Sequence, residues 1–180
     1  QADDVIEVGC WAHARRKFDE ALKGQGDPKK KPGGSTRKRK ASQALACIRD
    51  LYRIDKALAA FAPEERARER RLRSGPVLRD LRAWVDVSMD QVPPQSLTGK
   101  ALSYLDKQWP KLVRFLDDGR IPLDTNAVEN AIRPFAVGRK NWLFADTVRG
   151  AEASANLYSL VQSARANGHE PFAYLRYVLQ

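Results

Sequence analysis

At 180 residues, with 43% hydrophobic and 30% charged side chains, the chain can bury a sizeable core and is too apolar to be disordered. Its net charge of +10 and pI near 9.9 favour a polyanionic partner, most simply nucleic acid, over an acidic small ligand. No run reaches the roughly 18 consecutive apolar residues of a membrane span, and the two cysteines, Cys10 and Cys47, give no disulfide framework and fit a reducing cytosol.

The chain opens on Gln1 rather than Met, with no signal peptide and an apolar run almost at once, and reads as a fragment. Residues 5–11, "VIEVGCW", alternate and are β-prone, which predicts a short buried strand. A helix follows over "AHARRKFDEALK", with Ala14, Phe18, Ala21 and Leu22 on one side. Residues 24–40, "GQGDPKKKPGGSTRKRK", then set seven cations against one Asp, a net of +6 and over half of the chain's charge. With Gly, Pro and Lys and no apolar period, this stretch predicts a flexible basic loop. Lys29, Lys30, Lys31, Arg37, Lys38, Arg39 and Lys40 are either solvated there or lie along phosphates.

From about 41 to 116 the apolar period is helical. Leu45, Ile48, Tyr52 and Ala59 mark one helix, and Pro63 opens the next at its first position. Pro76 is read as starting another, with Leu78, Leu81 and Val85, and Ser96 or Thr98 caps a further one through Leu102, Leu105 and Trp109. Pro110 would bend that helix before Leu112, Phe115 and Leu116. The expected interior holds Leu45, Ile48, Leu81, Trp84, Leu105 and Phe115. A turn at "DDGR", 117–120, ends the region with Gly119 at C′. Near the end, Leu157, Leu160, Val161 and Ala164 form a stripe stopped by Gly168, and a last helix from Pro171 is expected to bury Phe172, Leu175 and Val178.

Between these lies "LDTNAVENAIRPFAVGRKNWLF", residues 123–144, too polar for a plain structural helix. Glu129 and Arg133 stand four apart and share a helix face. The run is read as breaking at Pro134, after which Gly138, Arg139, Lys140 and Asn141 form a basic turn.

Three stretches carry a resemblance: "GCWAHARRKFDEAL" at 9–22, the 123–144 run, and "ANLYSLVQSARANGHEPFAYLRYVL" at 155–179. With "SGPVLRDLRAW" and "GKALSYLDKQWPKLVRFLDDGR" between them, they are similar in content and order to the C-terminal part of bacterial insertion sequence 66 family transposases. The resemblance runs from about residue 5 to the end, apart from the 24–40 loop. It implies a mainly α chain, the C-terminal portion of a ribonuclease H-like α/β catalytic domain with an all-helical insertion and one short N-terminal strand. In that layout residues 1–23 are the last sheet strand and its following helix, 24–40 the basic loop, 41–120 the insertion, and 121–180 the C-terminal helices of the core.

The same resemblance implies an Asp-Asp-Glu triad on two metal ions, Mg2+ or Mn2+, in a bacterial enzyme acting on the cytoplasmic nucleoid. Glu129 in "NAVENAIRP" matches the family's glutamate, whereas its two aspartates belong upstream of "GCWAH"; Asp3 and Asp4 stand in a different context. The two-ion site would be completed by upstream residues, leaving this fragment alone inactive. The implied partners are DNA, as element ends and target, a second copy of the chain in the working assembly, and accessory transposition proteins.

Chemistry supports that role for Glu129. Phosphodiester cleavage and joining use two hard cations roughly 4 Å apart, held by carboxylate oxygen. Arg133 can pair with Glu129 or hold a phosphate, and Arg139, Lys140 and Asn141 offer donors to a DNA backbone. Asn126-x-x-Glu129 also resembles a capping box, a role compatible with metal binding.

Arg15, Arg16 and Lys17 oppose the dipole at a helix start, so they face either DNA or water. Cys10-x-x-His13 has a zinc-like spacing, but only Cys47 and His169 remain to complete it and neither lies in a paired motif, so His13 reads as structural or phosphate-facing. Core packing is expected for Trp84 and Trp109, with base stacking a minority reading for Trp11 and Trp142. Two functions stand: part of a metal-dependent transposase, or a non-catalytic basic helical module, a transposase remnant, that binds DNA or a partner subunit.

Overall fold

The computed structural model describes residues 6–24, 40–138 and 146–180. They include seven α-helices: α1 (Trp11–Gly24), α2 (Lys40–Ala57), α3 (Pro63–Gln91), α4 (Leu97–Leu112), α5 (Asn126–Gly138), α6 (Val148–Ala166) and α7 (Pro171–Val178). A 3-10 turn, Val113–Leu116, extends α4. The helices divide between two compact units, one ending at Thr125 and the other spanning Asn126–Gln180.

The expected N-terminal strand is absent, and with it the α/β architecture: the described residues contain no strand at all. Residues 6–10 run without regular structure into α1. The Gly9 amide donates to the Lys111 carbonyl at 2.9 Å and the Trp11 amide to Leu123 at 3.1 Å. Those bonds go singly to the end of α4 and to a loop, so the segment never meets the neighbouring strand that β-prone residues need. The approach is close enough that a Cβ at Gly9 would lie 2.8 Å from the Leu112 nitrogen.

In the first unit the helical periods build one core. On α1, Trp11, Ala14, Phe18 and Ala21 are fully buried at spacings of three and four, and this face packs on α2 and α4. Ile48 and Leu51 of α2, Leu81 and Val85 of α3, and Leu102 and Leu105 of α4 close the same cluster. Leu45 and Trp84 are only partly buried against it. Trp11, offered above as a stacking platform for bases, is wholly interior. Its indole donates to the Leu112 carbonyl at 2.9 Å, and its ring meets Trp109 edge-on at 6.2 Å.

A buried arginine ties the far end together. Arg70, 2% exposed, donates through Nε to Asp55 at 2.8 Å and through Nη1 to the carbonyls of Phe115 and Ile121 at 3.0 and 2.8 Å. One turn earlier, Arg66 donates to the carbonyls of Leu58, Ala59 and Phe61 after α2, and to Gly119. A cation just beyond the end of α2 is also favoured by the dipole of that helix. The loop carrying Gly119 lies so near the start of α3 that a Cβ there would sit 2.0 Å from the Pro63 oxygen.

Three prolines lie inside helices. Pro63 opens α3 and Ser96 caps α4, its Oγ accepting from the Gly99 amide at 3.0 Å. Pro76, however, starts nothing: α3 runs through it for 29 residues. Pro110 lies within α4, and α5 continues past Pro134 instead of breaking. A helix held by packing on both sides of a proline absorbs the missing amide. In α5 part of that hold is visible: Tyr158 packs on Phe135 at 4.9 Å between ring centres and donates to the Ala131 carbonyl at 3.0 Å.

In the second unit Thr147 caps α6, accepting from the Gly150 amide at 3.1 Å, and Gly168 follows that helix at φ 73°. Glu170 caps α7, accepting from the amides of Phe172 and Ala173 at 3.1 and 2.7 Å. Those two bonds, that from Ala173 first, hold its carboxyl below the ordinary range. The helix limits match the Gly168 and Pro171 signals, but the expected burial does not follow. Phe172 is 72% exposed and Val178 45%, and of the Leu157–Ala164 stripe only Ala164 is buried.

Candidate functional site

Thr125 is the last residue of the first unit, and the segment that ends there is fixed from within that unit. The Tyr52 hydroxyl of α2 donates to Asp124 Oδ2 at 2.9 Å, and the Thr125 amide to Cys10 Sγ at 3.4 Å. Burial first, and then the bond to Asp124, raise the Tyr52 phenol well above its ordinary range. The Arg15 guanidinium lies 5.8 Å from the centre of the Tyr52 ring. In the sequence Tyr52 has only a place in the apolar period of α2, and Asp124 no role. An Asp two residues before a helix and a Tyr at the edge of an apolar stripe give no local signal that they meet.

Glu129 stands in the first turn of α5, exposed, with Arg133 one turn on and also exposed. A helix start favours a carboxylate through its partial positive charge, so this position suits Glu129 before any ligand is considered. It is the sole acid of α5, a hard oxygen donor that fits one ligand arm of Mg2+ or Mn2+. One arm does not make a two-ion centre.

The remaining sequence candidates separate. Arg16 and Lys17 are exposed on α1, and Arg15 pairs with Asp19 at 3.9 Å as well as covering Tyr52. Lys40, the first residue of α2, is turned into the fold. Its ammonium donates to Ser88 Oγ at 3.0 Å and Gln91 Oε1 at 2.9 Å and lies over the Trp84 ring. Arg139, Lys140, Asn141 and Trp142, and Lys29, Lys30, Lys31, Arg37, Lys38 and Arg39, lie outside the described residues.

Residues 1–153 match the family model described as Transposase IS66 family, and residues 159–180 match the IS66 C-terminal element. The chain belongs to the IS66 transposase family. Three relatives from Sinorhizobium fredii are similar along nearly its whole length. "Uncharacterized protein y4jD" is 36% identical over 95% of the chain, "Uncharacterized protein y4hP" 33% over 94%, and "Uncharacterized protein y4qI" 32% over 99%. The IS66 chain spans 31% of the length of each of them. No solved structure matches it. The boundary between the two family models falls inside α6, and Glu129 and Arg133 lie within the first. No helix of the described residues is long and apolar enough to cross a membrane.

Proposed function

We propose that the intact protein is a DNA transposase that cleaves and joins strands at the ends of its element, with Glu129 as one ligand of a two-ion Mg2+ or Mn2+ centre. The observation that carries this reading is the family match over residues 1–153, which includes an exposed carboxylate at the first turn of α5 with a guanidinium one turn on. When bound, the ions would stabilise the attacking and leaving oxygens of a phosphodiester. Glu129 contributes a negative oxygen ligand, and Arg133 holds a phosphate oxygen of the strand being cut. The other carboxylates come from parts of the full-length protein outside these 180 residues, so this chain alone is inactive. DNA is the partner, a second copy and accessory proteins complete the working assembly, and the site of action is the bacterial nucleoid.

The test uses the full-length protein. Glu129→Gln keeps the size of the side chain and removes the charge. Metal-dependent strand cleavage should fall by about two orders of magnitude or more, while DNA binding in EDTA and the melting temperature stay put. Retained cleavage would remove Glu129 from the chemistry.

A second reading, a non-catalytic DNA-binding or subunit-interaction module, is favoured by the charge: residues 24–40 alone hold seven of the chain's cations. Replacing those seven with Gln should lower the slope of log affinity against log salt by about one for each lost phosphate contact. A flattened slope together with no metal-dependent cleavage by the full-length protein would select this module over the enzyme.

A further inference from the structure

The outer face of α3 was left unused by the DNA chemistry, and it is unusual. A long basic helix would ordinarily present solvated charge there. Here Leu72 is 64% exposed, and Gly75 and Pro76 follow it on the same face. Together with α4 and the 3-10 turn they enclose an open groove of about 700 Å3. Trp109, Val113 and Leu116 form its opposite wall. The volume lies within the roughly 300–1,000 Å3 of ordinary ligand pockets.

Three features of the groove define what it accepts. The walls are largely hydrocarbon, so an occupant must bring apolar side chains to cover them. The centre is not covered by side chains: Pro76 has no amide to donate to the Leu72 carbonyl, and a Cβ at Gly75 would meet nothing within 4 Å. The charge is also asymmetric. Arg82 is already neutralised by Asp86 and by Asp106, the latter at 2.8 Å, and lies over Trp109. Arg79 is exposed and has no hydrogen bond or ion pair among the described residues. Arg71 is exposed and donates from Nη1 to the Leu116 carbonyl at 2.9 Å.

We propose that the groove between α3 and α4 docks an acidic amphipathic helix of a partner protein. Its apolar anchors would cover Leu72, Pro76 and Trp109, and its carboxylates would meet Arg71 and Arg79. Helix-in-groove recognition needs this combination of an apolar floor and charged rim. Duplex DNA fits less well, because phosphates gain nothing from a hydrocarbon floor.

The probe is a fluorescein-labelled designed peptide of roughly 18 residues, five helical turns, with Leu at i, i+4 and i+7 and Glu on the flanks. A control carries Lys in place of Glu. Fluorescence anisotropy on this chain should give the Glu peptide an affinity at least about ten-fold tighter than the Lys peptide, and Arg79→Glu should erase that difference. Gly75→Gln fills the groove from a position with open space. It should weaken the Glu peptide by about ten-fold or more while the melting temperature holds or rises. Equal binding of the two peptides, or binding indifferent to Gly75→Gln, would overturn the proposal. So would displacement of the peptide by a DNA oligonucleotide whose own affinity falls in Gly75→Gln, which would make the groove a DNA surface. Loss of a dimer on sedimentation of Gly75→Gln would likewise replace the partner helix by a second copy.

Discussion

The two units are built from helices of comparable amphipathic pattern and end in opposite states. In the unit that closes at Thr125, Trp11, Phe18, Ile48, Leu81 and Leu105 have no exposed surface. In Asn126–Gln180, Ala164 is the sole buried apolar residue among those described, while Phe172, Leu179 and Tyr177 are 72%, 69% and 81% exposed. An apolar stripe specifies a face to be covered and says nothing of what covers it. Stability is therefore concentrated in the first unit, while the glutamate of the proposed chemistry is carried by the second.

The strongest attempt to break that contrast is Arg70→Ala. It leaves Asp55 without its cation and several loop carbonyls without a donor, and should cost about 3–5 kcal/mol. Urea unfolding followed by the fluorescence of Trp11, Trp84 and Trp109 measures it, and a loss under about 1 kcal/mol would show that the arginine is not what closes this unit. A matched pair sharpens the comparison. Leu105→Ala should cost about 2–5 kcal/mol, and Leu157→Ala, at a site already 48% exposed, less than about 0.5 kcal/mol. Similar losses from the two would mean that Leu157 is covered in solution.

Tyr52→Phe is a smaller perturbation. It removes the bond to Asp124 that holds the end of the first unit against α2 and should cost about 1 kcal/mol. Urea unfolding measures it, and an unchanged midpoint would show that the bond adds nothing to the first unit.

The mildest effect concerns pH. Glu170 titrates lower as the cap of α7 than its ordinary 4.5. Its contribution is therefore complete above that unfolded value and fades as the pH drops through the folded one. Amide signals of Phe172 and Ala173 should move together on acidification, whereas Glu170→Gln should remove the transition. Helix signals of the first unit that follow the same titration would contradict a local cap.

Much of this was legible in the sequence, and the failures share a cause. The core stripe of α1, the Pro63 start and the Ser96 cap are local signals, and each appears where it was read. The "VIEVGCW" strand failed because β propensity is realised only beside another strand, and a loop and a helix end lie there instead. Pro76 and Pro134 were taken for boundaries because the packing that carries a helix past a proline is a tertiary property. Arg70 was missed despite a readable sign: it occupies a stripe position in Ala67-Arg70-Ser74-Leu78-Leu81-Val85, all buried. A cation at such a position announces an interior ion pair. For the candidate site, the common face of Glu129 and Arg133 was readable from spacing alone, whereas the Tyr52–Asp124 anchor joins residues 72 apart.

The fastening of Lys40 to Ser88 and Gln91 has a consequence for how such genes can change. The first residue of α2 is pinned to α3, and α2 packs directly on α1, so neither helix relies on the run between Gly24 and Lys40 for its position. Changes of length or charge between Gly24 and Lys40 should therefore leave the packing of α1 on α2 and the hold of Lys40 on α3 in place.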